Sequence, residues 1–218
     1  WERSEPAPMS AYTLTIEHVL KHPVRDIHPI AWSLFYHMRY AAHPVPDAVL
    51  YAMMIRACAA GVPQPNTMPL RRKRTMEADA ERALDLFREM TVHHGVRPNK
   101  EVYDSLILTC ARRKDHYADA LRLLRELVEG DHTQLWPDAY TYNAVLQGSA
   151  RHGDLTTARW ILADMVRSVM ADAHRLRRPN EDTLAHVFWT YAVYQPPIDR
   201  HQLSSIEATQ SSDAEGHV

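Results

Sequence analysis

The chain has 218 residues, 45% of them hydrophobic and 24% charged, with a formal net charge of −2 and a pI of about 6.7. This composition is typical of a globular or solenoid protein that buries an extended core. The near-neutral charge excludes the overall basic field of an indiscriminate nucleic-acid binder, and no apolar run approaches the length of a membrane span.

The N-terminal segment 1–10 is polar and contains proline, so we expect it to be mobile. It has the character of neither a signal peptide nor a transit peptide, and we expect a chain that starts at Trp to be a processed form or an excerpt. Two stretches follow, 11–20 and 28–40, in which apolar residues recur at helical spacing. They predict a first pair of helices.

The clearest pattern lies at 137–165, PDAYTYNAVLQGSARHGDLTTARWILADM. It predicts two short helices, because Gly153 can end the first and Asp154 can cap the second. Each helix carries an apolar stripe that a single hairpin cannot bury, so we expect the unit to recur. A proline followed by Asp or Asn opens each further copy, and the second helices read AWSLFYHM, ALDLFREM, ALRLLREL and ARWILADM.

These copies divide the chain into repeated units. The predicted hairpins are about 11–45, 46–97, 98–136 and 137–178, followed by a single helix at 179–195 and a tail at 196–218. The tail is polar and rich in serine, so we expect it to be disordered or to be the entry to further repeats.

The second hairpin contains an inserted loop at 62–75, because its prolines preclude a continuous helix. The loop ends in a run of basic residues, Arg71, Arg72, Lys73 and Arg74. Such a basic run is most often a solvated loop segment. The functional alternatives are a contact with phosphate groups, such as those of ribosomal RNA, and a nuclear localisation address.

Two columns of the repeat alignment contain cysteine or tyrosine, residues that could bind a metal or stack on a base. Cys58 and Cys110 share one column among small residues, which predicts buried small hydrophobes. A disulfide or zinc site is disfavoured, since there is no C-x-x-C and no Cys/His quartet at ligand spacing. Tyr51, Tyr103 and Tyr142 share another column and are predicted to pack rather than to stack on bases.

No catalytic motif is present. The sequence has no Walker loop, no G-x-G-x-x-G, no G-x-S-x-G and no H-E-x-x-H, and its acidic residues are scattered over solvent-facing positions. We therefore expect a protein that is not an enzyme and needs no cofactor or metal.

The openings PDAYTYNAVL and ERALDLFREM resemble the first and second helices of the pentatricopeptide repeat, and the resemblance extends from Ala11 to about Tyr194. It implies an all-α fold, an α-solenoid superhelix of about four to five helical hairpins. It also implies a mitochondrial protein that binds single-stranded RNA, an organellar transcript or ribosomal RNA, in RNA processing, stability or translation. Mitoribosomal or other RNA-processing proteins are further implied partners. Copies here start 52, 39 and 42 residues apart, so each is longer than the family's unit of about 35 residues.

The resemblance also implies which side chains meet RNA. Base edges would be read by pairs drawn from adjacent repeats, and bases would stack on one exposed column. The implied edge pairs are Ala52 with Asn99, Asp104 with Asp138, and Asn143 with Asn180. The stacking column is Val49, Glu101, Tyr140 and Asp182, of which Val49 and Tyr140 suit a base face. Phosphate contacts are implied for Arg112 and Arg151, with Arg113 and Lys114 beside them.

Among the edge pairs, only Asn143 with Asn180 follows the family's pattern, in which it implies a pyrimidine. Asp138 and Asn180 also stand where a helix N-cap belongs, which needs no RNA to explain it. Asn143 is harder to explain, since a mid-helix Asn is disfavoured unless its amide finds a partner. We therefore predict that the fourth hairpin contacts a base and the others mostly hold shape.

Two other functions stay open. One is a protein-docking α-solenoid or mitoribosome-associated scaffold with little sequence-specific reading of RNA. The other is the targeting arm of a larger processing enzyme.

Overall fold

The computed structural model describes residues 6–21, 27–60, 62–63, 76–129, 135–170 and 178–195. Residues 1–5 of the predicted N-terminal segment, the predicted tail 196–218 and the basic run 71–74 lie outside these ranges. The described part contains nine α-helices. They are α1 (Met9–Lys21), α2 (Ile27–Ala41), α3 (Ala48–Ala59), α4 (Ala80–Arg88, continued by a π-helical turn at Glu89–His93), α5 (Lys100–Ala111), α6 (Tyr117–Glu129), α7 (Ala139–His152), α8 (Leu155–Met170) and α9 (Glu181–Val193).

The helices form two layers. The first layer contains α1, α3, α5, α7 and α9, each packed against the next, and the second contains α2, α4, α6 and α8. Hairpins 1 to 4 are the pairs α1–α2, α3–α4, α5–α6 and α7–α8. From hairpin 2 onward each second helix also contacts the next first helix, so neighbouring hairpins share one core. This confirms the predicted all-α solenoid of about four to five hairpins, and the described part contains four hairpins and a ninth helix.

One continuous apolar cluster runs from Ile16 in α1 to Val187 in α9. The alanine that opens each copy of the second-helix motif is completely buried: Ala31, Ala83, Ala120 and Ala158. A methyl group at this position lets the first helices approach closely. The repeated alanine is thus a packing position, as its regular spacing suggested.

The first helices from α3 onward begin in the same way. A side-chain oxygen of the residue before each helix accepts a hydrogen bond from the amide three residues later, at Asp47 (2.8 Å), Asn99 (3.0 Å), Asp138 (3.1 Å) and Asn180 (2.9 Å). Such caps satisfy an amide that the helix itself leaves unpaired. α7 ends at Gly153, whose φ of 65° is the left-handed conformation that glycine adopts readily, as predicted.

The second helix of hairpin 2 differs from the sequence pattern. The apolar spacing predicts a helix from Met76 to Val92, but α4 begins at Ala80. Asp79 caps it by accepting from the amide of Arg82 at 3.1 Å, and its own amide donates to the carbonyl of Cys58 at 2.9 Å. Residues 76–77 instead pair antiparallel with residues 62–63, as two-residue strands β2 and β1.

α9 ends the described array with an uncovered face. Leu184, Phe188 and Tyr191 are exposed, although the equivalent positions of α3, α5 and α7 are buried. Within the described ranges no second helix lies beside this face. In that same part of the chain, none of the helices has the length and apolarity needed to cross a membrane.

Candidate nucleic-acid interface

The structure brings Asn143 and Asn180 into contact. Asn143 Nδ2 donates to Asn180 Oδ1 at 3.0 Å, and Asn143 Oδ1 accepts from the hydroxyl of Thr183 at 2.7 Å. Asn180 is also the N-cap of α9, so the pair joins the second turn of α7 to the start of α9. These bonds give the mid-helix amide of Asn143 its partners.

Part of this pair still faces outward. Asn180 is exposed and Asn143 half-buried, and among the described residues the hydrogen bonds of the two side chains use both oxygens but only one N–H, that of Asn143. Within the described part of the chain, the amide group of Asn180 and the second N–H of Asn143 have no acceptor. These are donors at fixed positions, which match the carbonyl oxygens on the edge of a pyrimidine.

Asp104 and Asp138 meet through a lysine. Lys100 Nζ lies 2.5 Å from Asp104 Oδ2, 2.8 Å from Asp138 Oδ2 and 3.5 Å from the hydroxyl of Thr141. Thr141 in turn donates to Asp104 Oδ1 at 2.6 Å. We call these four residues the Lys100 cluster.

Charge pairing shifts two pKa values in the Lys100 cluster. Burial alone would raise the pKa of Asp138, but hydrogen bonds from Lys100 and from Thr141 outweigh it and hold that pKa below its ordinary value. Burial likewise acts to lower the pKa of Lys100, and the two carboxylates outweigh it and raise that pKa. Both shifts favour the charged forms, so Lys100 and Asp138 form an ion pair, and the carboxyl group of Asp104 lies beside it.

In the third implied pair, Ala52 with Asn99, only Asn99 has a polar side chain. Ala52 is buried and has no polar atom, while Asn99 caps α5 through the amide of Val102. Val102 stands where hairpin 4 and α9 have Thr141 and Thr183, so this pair has no hydroxyl to order it. It can present one amide at most.

The implied stacking column is exposed throughout: Val49, Glu101, Tyr140 and Asp182. Val49 and Tyr140 are each 44% exposed. The guanidinium of Arg56 lies over one face of the Tyr140 ring, 5.9 Å from its centroid, so a base would meet the other face or displace Arg56. The tyrosines of the other column, Tyr51, Tyr103 and Tyr142, are buried, which confirms that they pack.

Arg112 and Arg151 have a structural task besides their charge. Arg112 donates to the carbonyl of Ala59 at 2.7 Å, and Arg151 donates to the carbonyl of Arg112 at 2.7 Å. Each arginine therefore ties the C-terminal end of one first helix to the next. Burial and the nearby charge of Arg112 lower the pKa of Arg151, which indicates two cations close together.

An open depression at these helix ends is lined by Arg112, Arg113, Lys114, Asp115 and Arg151. Arg113 forms two hydrogen bonds with Asp115, at 2.8 and 2.5 Å, and they hold the pKa of that carboxyl at about 2. Lys114 is exposed and has no hydrogen bond or ion pair within the described ranges. Four cations against one carboxylate make this a surface suited to phosphate.

Sequence reasoning missed Lys100, Thr141, Thr183 and Arg56. Lys100 precedes Asp104 by four residues, which signals a helical ion pair. The pattern of Asp or Asn followed three residues later by Thr, at Asp138 and Asn180, signals the two capping boxes. Nothing local signals Arg56, because its ring partner lies in a distant repeat. In the described ranges, no group of three His, Cys, Asp or Glu side chains could hold a metal ion.

Comparison with known proteins gives related sequences. The family model for the pentatricopeptide repeat, PPR repeat, matches residues 140–168, which cover most of hairpin 4. A relative named mitochondrial 15S rRNA processing factor CCM1, from Yarrowia lipolytica, is 31% identical over 140 residues, which are 64% of this chain and 16% of the relative. Its namesake from Candida tropicalis is 25% identical over 185 residues, 84% of this chain and 21% of the relative. The chain thus spans about a fifth or less of the length of these relatives.

Two crystal structures of the pentatricopeptide repeat protein PPR10, in complex with an 18-nucleotide psaJ RNA element, are similar to this chain. One is 21% identical with a TM-score of 0.47, covering 84% of this chain and 26% of PPR10. The other is 20% identical with a TM-score of 0.47, covering 94% of this chain and 28% of PPR10.

Proposed function

We propose that this chain is a pentatricopeptide repeat protein that binds single-stranded RNA in mitochondria and acts there in RNA processing, stability or translation. It does so by binding, without catalysing a reaction itself. The names of its two relatives support the compartment and a ribosomal RNA as one class of target.

The observation that carries the proposal is the Asn143–Asn180 pair. Its outward N–H groups are held by hydrogen bonds to a neighbouring helix cap, so they are positioned before any ligand arrives. A preordered donor set costs less conformational entropy on binding than a mobile one. Tyr140 lies in the same helix as Asn143, about one turn before it. Its exposed ring supplies a face on which a base can stack.

The depression at the helix ends supplies the second part of the interface. Its positive charge is carried by Arg112, Lys114 and Arg151, and none of them has an acidic partner within the described ranges. A phosphate group there would relieve the repulsion between the two guanidinium groups. Binding should therefore weaken with salt, because phosphate contacts release condensed counterions.

In this proposal the described hairpins recognise the base of only one nucleotide of the RNA. One edge pair presents free donors, one is occupied by Lys100, and one lacks a polar side chain at Ala52. We expect a preference for a pyrimidine at one nucleotide, with the remaining affinity coming from shape and charge.

A protein-docking scaffold is the second candidate, and the exposed face of α9 favours it. Leu184, Phe188 and Tyr191 form an apolar stripe at helical spacing that no described helix covers. Apolar stripes of this kind occur at protein interfaces. This function and RNA binding use different surfaces, so one experiment can separate them.

The test is fluorescence anisotropy of labelled ten-nucleotide RNA homopolymers with the purified chain, over a series of salt concentrations. We expect measurable binding at low salt that weakens as salt rises. Lys114→Ala should reduce the slope of log affinity against log salt by about 0.7, the value for one phosphate contact with a single strand. Lys114 is the appropriate cation to change, because Arg112 and Arg151 also bind main-chain carbonyls.

Lys21→Ala is the matched control. It removes the same charge from α1, far along the chain from the depression, and should leave the slope unchanged. If circular dichroism shows that the chain is folded and it still binds no RNA at low salt, the RNA proposal is overturned and the scaffold function is favoured.

A further inference from the structure

We infer that Lys100 closes the edge pair of hairpin 3 to RNA bases, so that base reading in the described array is confined to hairpin 4. This inference rests on the proposed function. It concerns a residue outside the implied edge pairs, and it predicts where along a bound RNA the protein is indifferent to sequence.

The donors of Lys100 are all in use. Its ammonium group has three N–H donors, and three acceptors surround it: Asp104 Oδ2, Asp138 Oδ2 and Thr141 Oγ1. The side chain of Asp104 is 12% exposed and that of Asp138 27% exposed, so the pair has little surface left to offer. A base that binds here must first displace a partly buried ammonium group from two carboxylates.

Hairpin 4 has the same architecture without the lysine. Asn143 and Asn180 stand in the columns of Asp104 and Asp138, and Thr183 stands in the column of Thr141. The column of Lys100 is occupied in hairpin 4 by Ala139, whose methyl group cannot reach the pair. The open and the closed pair therefore differ by three side chains, which makes the comparison unusually direct.

Lys100 also compensates charge. Two carboxylates without it would repel an approaching phosphate backbone, so Lys100→Ala alone should weaken RNA binding rather than open the site. The informative change converts hairpin 3 to the composition of hairpin 4: Lys100→Ala, Asp104→Asn and Asp138→Asn together. Asn180 caps α9 as Asp138 caps α7, so the Asn at 138 should preserve the helix start.

The experiment uses the shortest uridine RNA that still binds with full affinity, so that the protein has no second register on it, and places a single adenosine at each position in turn. For the wild type, we expect the adenosine to weaken binding at one position only. In the triple variant a second, neighbouring position should become sensitive, with about a tenfold loss of affinity for adenosine. Lys100→Arg should behave as the wild type, since a guanidinium keeps the pair occupied.

Three outcomes decide the matter. A triple variant that is folded, binds uridine RNA and still has one sensitive position overturns the inference. A wild type with two neighbouring sensitive positions also overturns it, because hairpin 3 would already be open. A wild type that binds no RNA refutes the proposed function itself, which is a different result.

A second measurement needs no variant. In the wild-type chain, nuclear magnetic resonance can follow the ammonium signal of Lys100 and the side-chain amide signals of Asn143 and Asn180 as uridine RNA is added. We expect the two amide signals to shift and the ammonium signal to stay in place. A large shift of the ammonium signal would show that RNA displaces Lys100, contrary to the inference.

Discussion

Tyr142 donates a hydrogen bond to Asp164 at 2.6 Å, joining the first and second helices of hairpin 4. The same two columns form this bond in the preceding hairpins, where Tyr51 donates to Glu89 at 2.7 Å and Tyr103 to Glu126 at 2.9 Å. The tyrosine rings are buried while the acids lie toward the surface. The bond therefore fixes how each hairpin closes, and with it the position of the edge pairs on the first helices.

Replacing the tyrosine should loosen a hairpin without creating a cavity. Tyr142→Phe keeps the buried ring and removes the hydroxyl that bonds to Asp164, so we expect a loss of roughly 1–2 kcal/mol in the free energy of unfolding. Urea unfolding followed by circular dichroism measures it. Tyr140→Phe in the same helix is the control, because that ring is 44% exposed and its loss should be much smaller. Equal losses for both variants would contradict the role given to the buried bond.

Gly148 in α7 lies where this helix packs tightly against α6 and against the end of α5. A Cβ atom there would lie 2.8 Å from the ring of Tyr117 and 3.1 Å from the carbonyl of Ala111. Alanine normally stabilises a helix relative to glycine by up to about 1 kcal/mol. Here we expect Gly148→Ala to destabilise by about 1–3 kcal/mol, because the clash outweighs the propensity.

Thermal unfolding of Gly148→Ala, Tyr117→Ala and the double variant tests this explanation. If the clash is the cause, the two losses should be less than additive. If the Gly148→Ala chain is as stable as the wild type, the ring of Tyr117 can move away from α7 without cost, and the clash does not explain the glycine.

The two cysteines should be inert in the folded chain. Cys58 and Cys110 are buried and unpaired, and burial raises the pKa of each thiol to about 12. Since the thiolate is the reactive form, a thiol reagent at pH 8 should label neither residue until the chain is unfolded in urea, and then label both. Rapid labelling of the native chain would contradict the burial of these columns.

The Lys100 cluster should stabilise the chain over a defined pH range. The pKa of Asp138 is lowered from 3.8, so its contribution is complete above that value and is lost as the pH falls through the lowered pKa. The pKa of Lys100 is raised from 10.5, so its contribution is complete below that value and is lost as the pH rises through the raised pKa. The cluster therefore acts between about pH 4 and pH 10.

Urea unfolding of the wild type and Lys100→Met at a series of pH values measures this contribution. The difference in free energy should be largest on the plateau and should shrink in acid and in strong base. Lys21→Met is the control, because its partner Glu17 and its own side chain are largely exposed. A difference for Lys100→Met that does not vary with pH would mean that packing, not charge, is what Lys100 contributes.

The parts of the fold that follow from local sequence were predictable. The caps at Asp138 and Asn180, the stop at Gly153 and the buried alanine column each depend on neighbouring residues and a repeated spacing. The start of α4 was not predictable, since the apolar pattern continues back to Met76. Asp79 is drawn out of that pattern by its bond to Cys58, which lies across the inserted loop.

The sequence predicted where the residues of the candidate site lie, but it did not predict their hydrogen-bond partners. Repeat alignment correctly placed Asn143 beside Asn180, but it could not show that Lys100 reaches a carboxylate of the following repeat. Nor could it show that Arg112 and Arg151 bind carbonyls, because a main-chain acceptor leaves no mark in the sequence. The assignment of all these residues to RNA contacts stays a prediction.

The most direct test of RNA reading by the Asn143–Asn180 pair compares two identical substitutions at N-caps. Asn180→Ala and Asn99→Ala each remove one N-cap together with its side-chain amide and add no charge, so both lose the same kind of cap. Anisotropy with uridine and adenosine homopolymers should show that the wild type prefers uridine and that Asn99→Ala keeps the preference. Asn180→Ala should lose it. If both variants keep the preference, or the wild type has none, the pair does not read bases and the central claim is wrong.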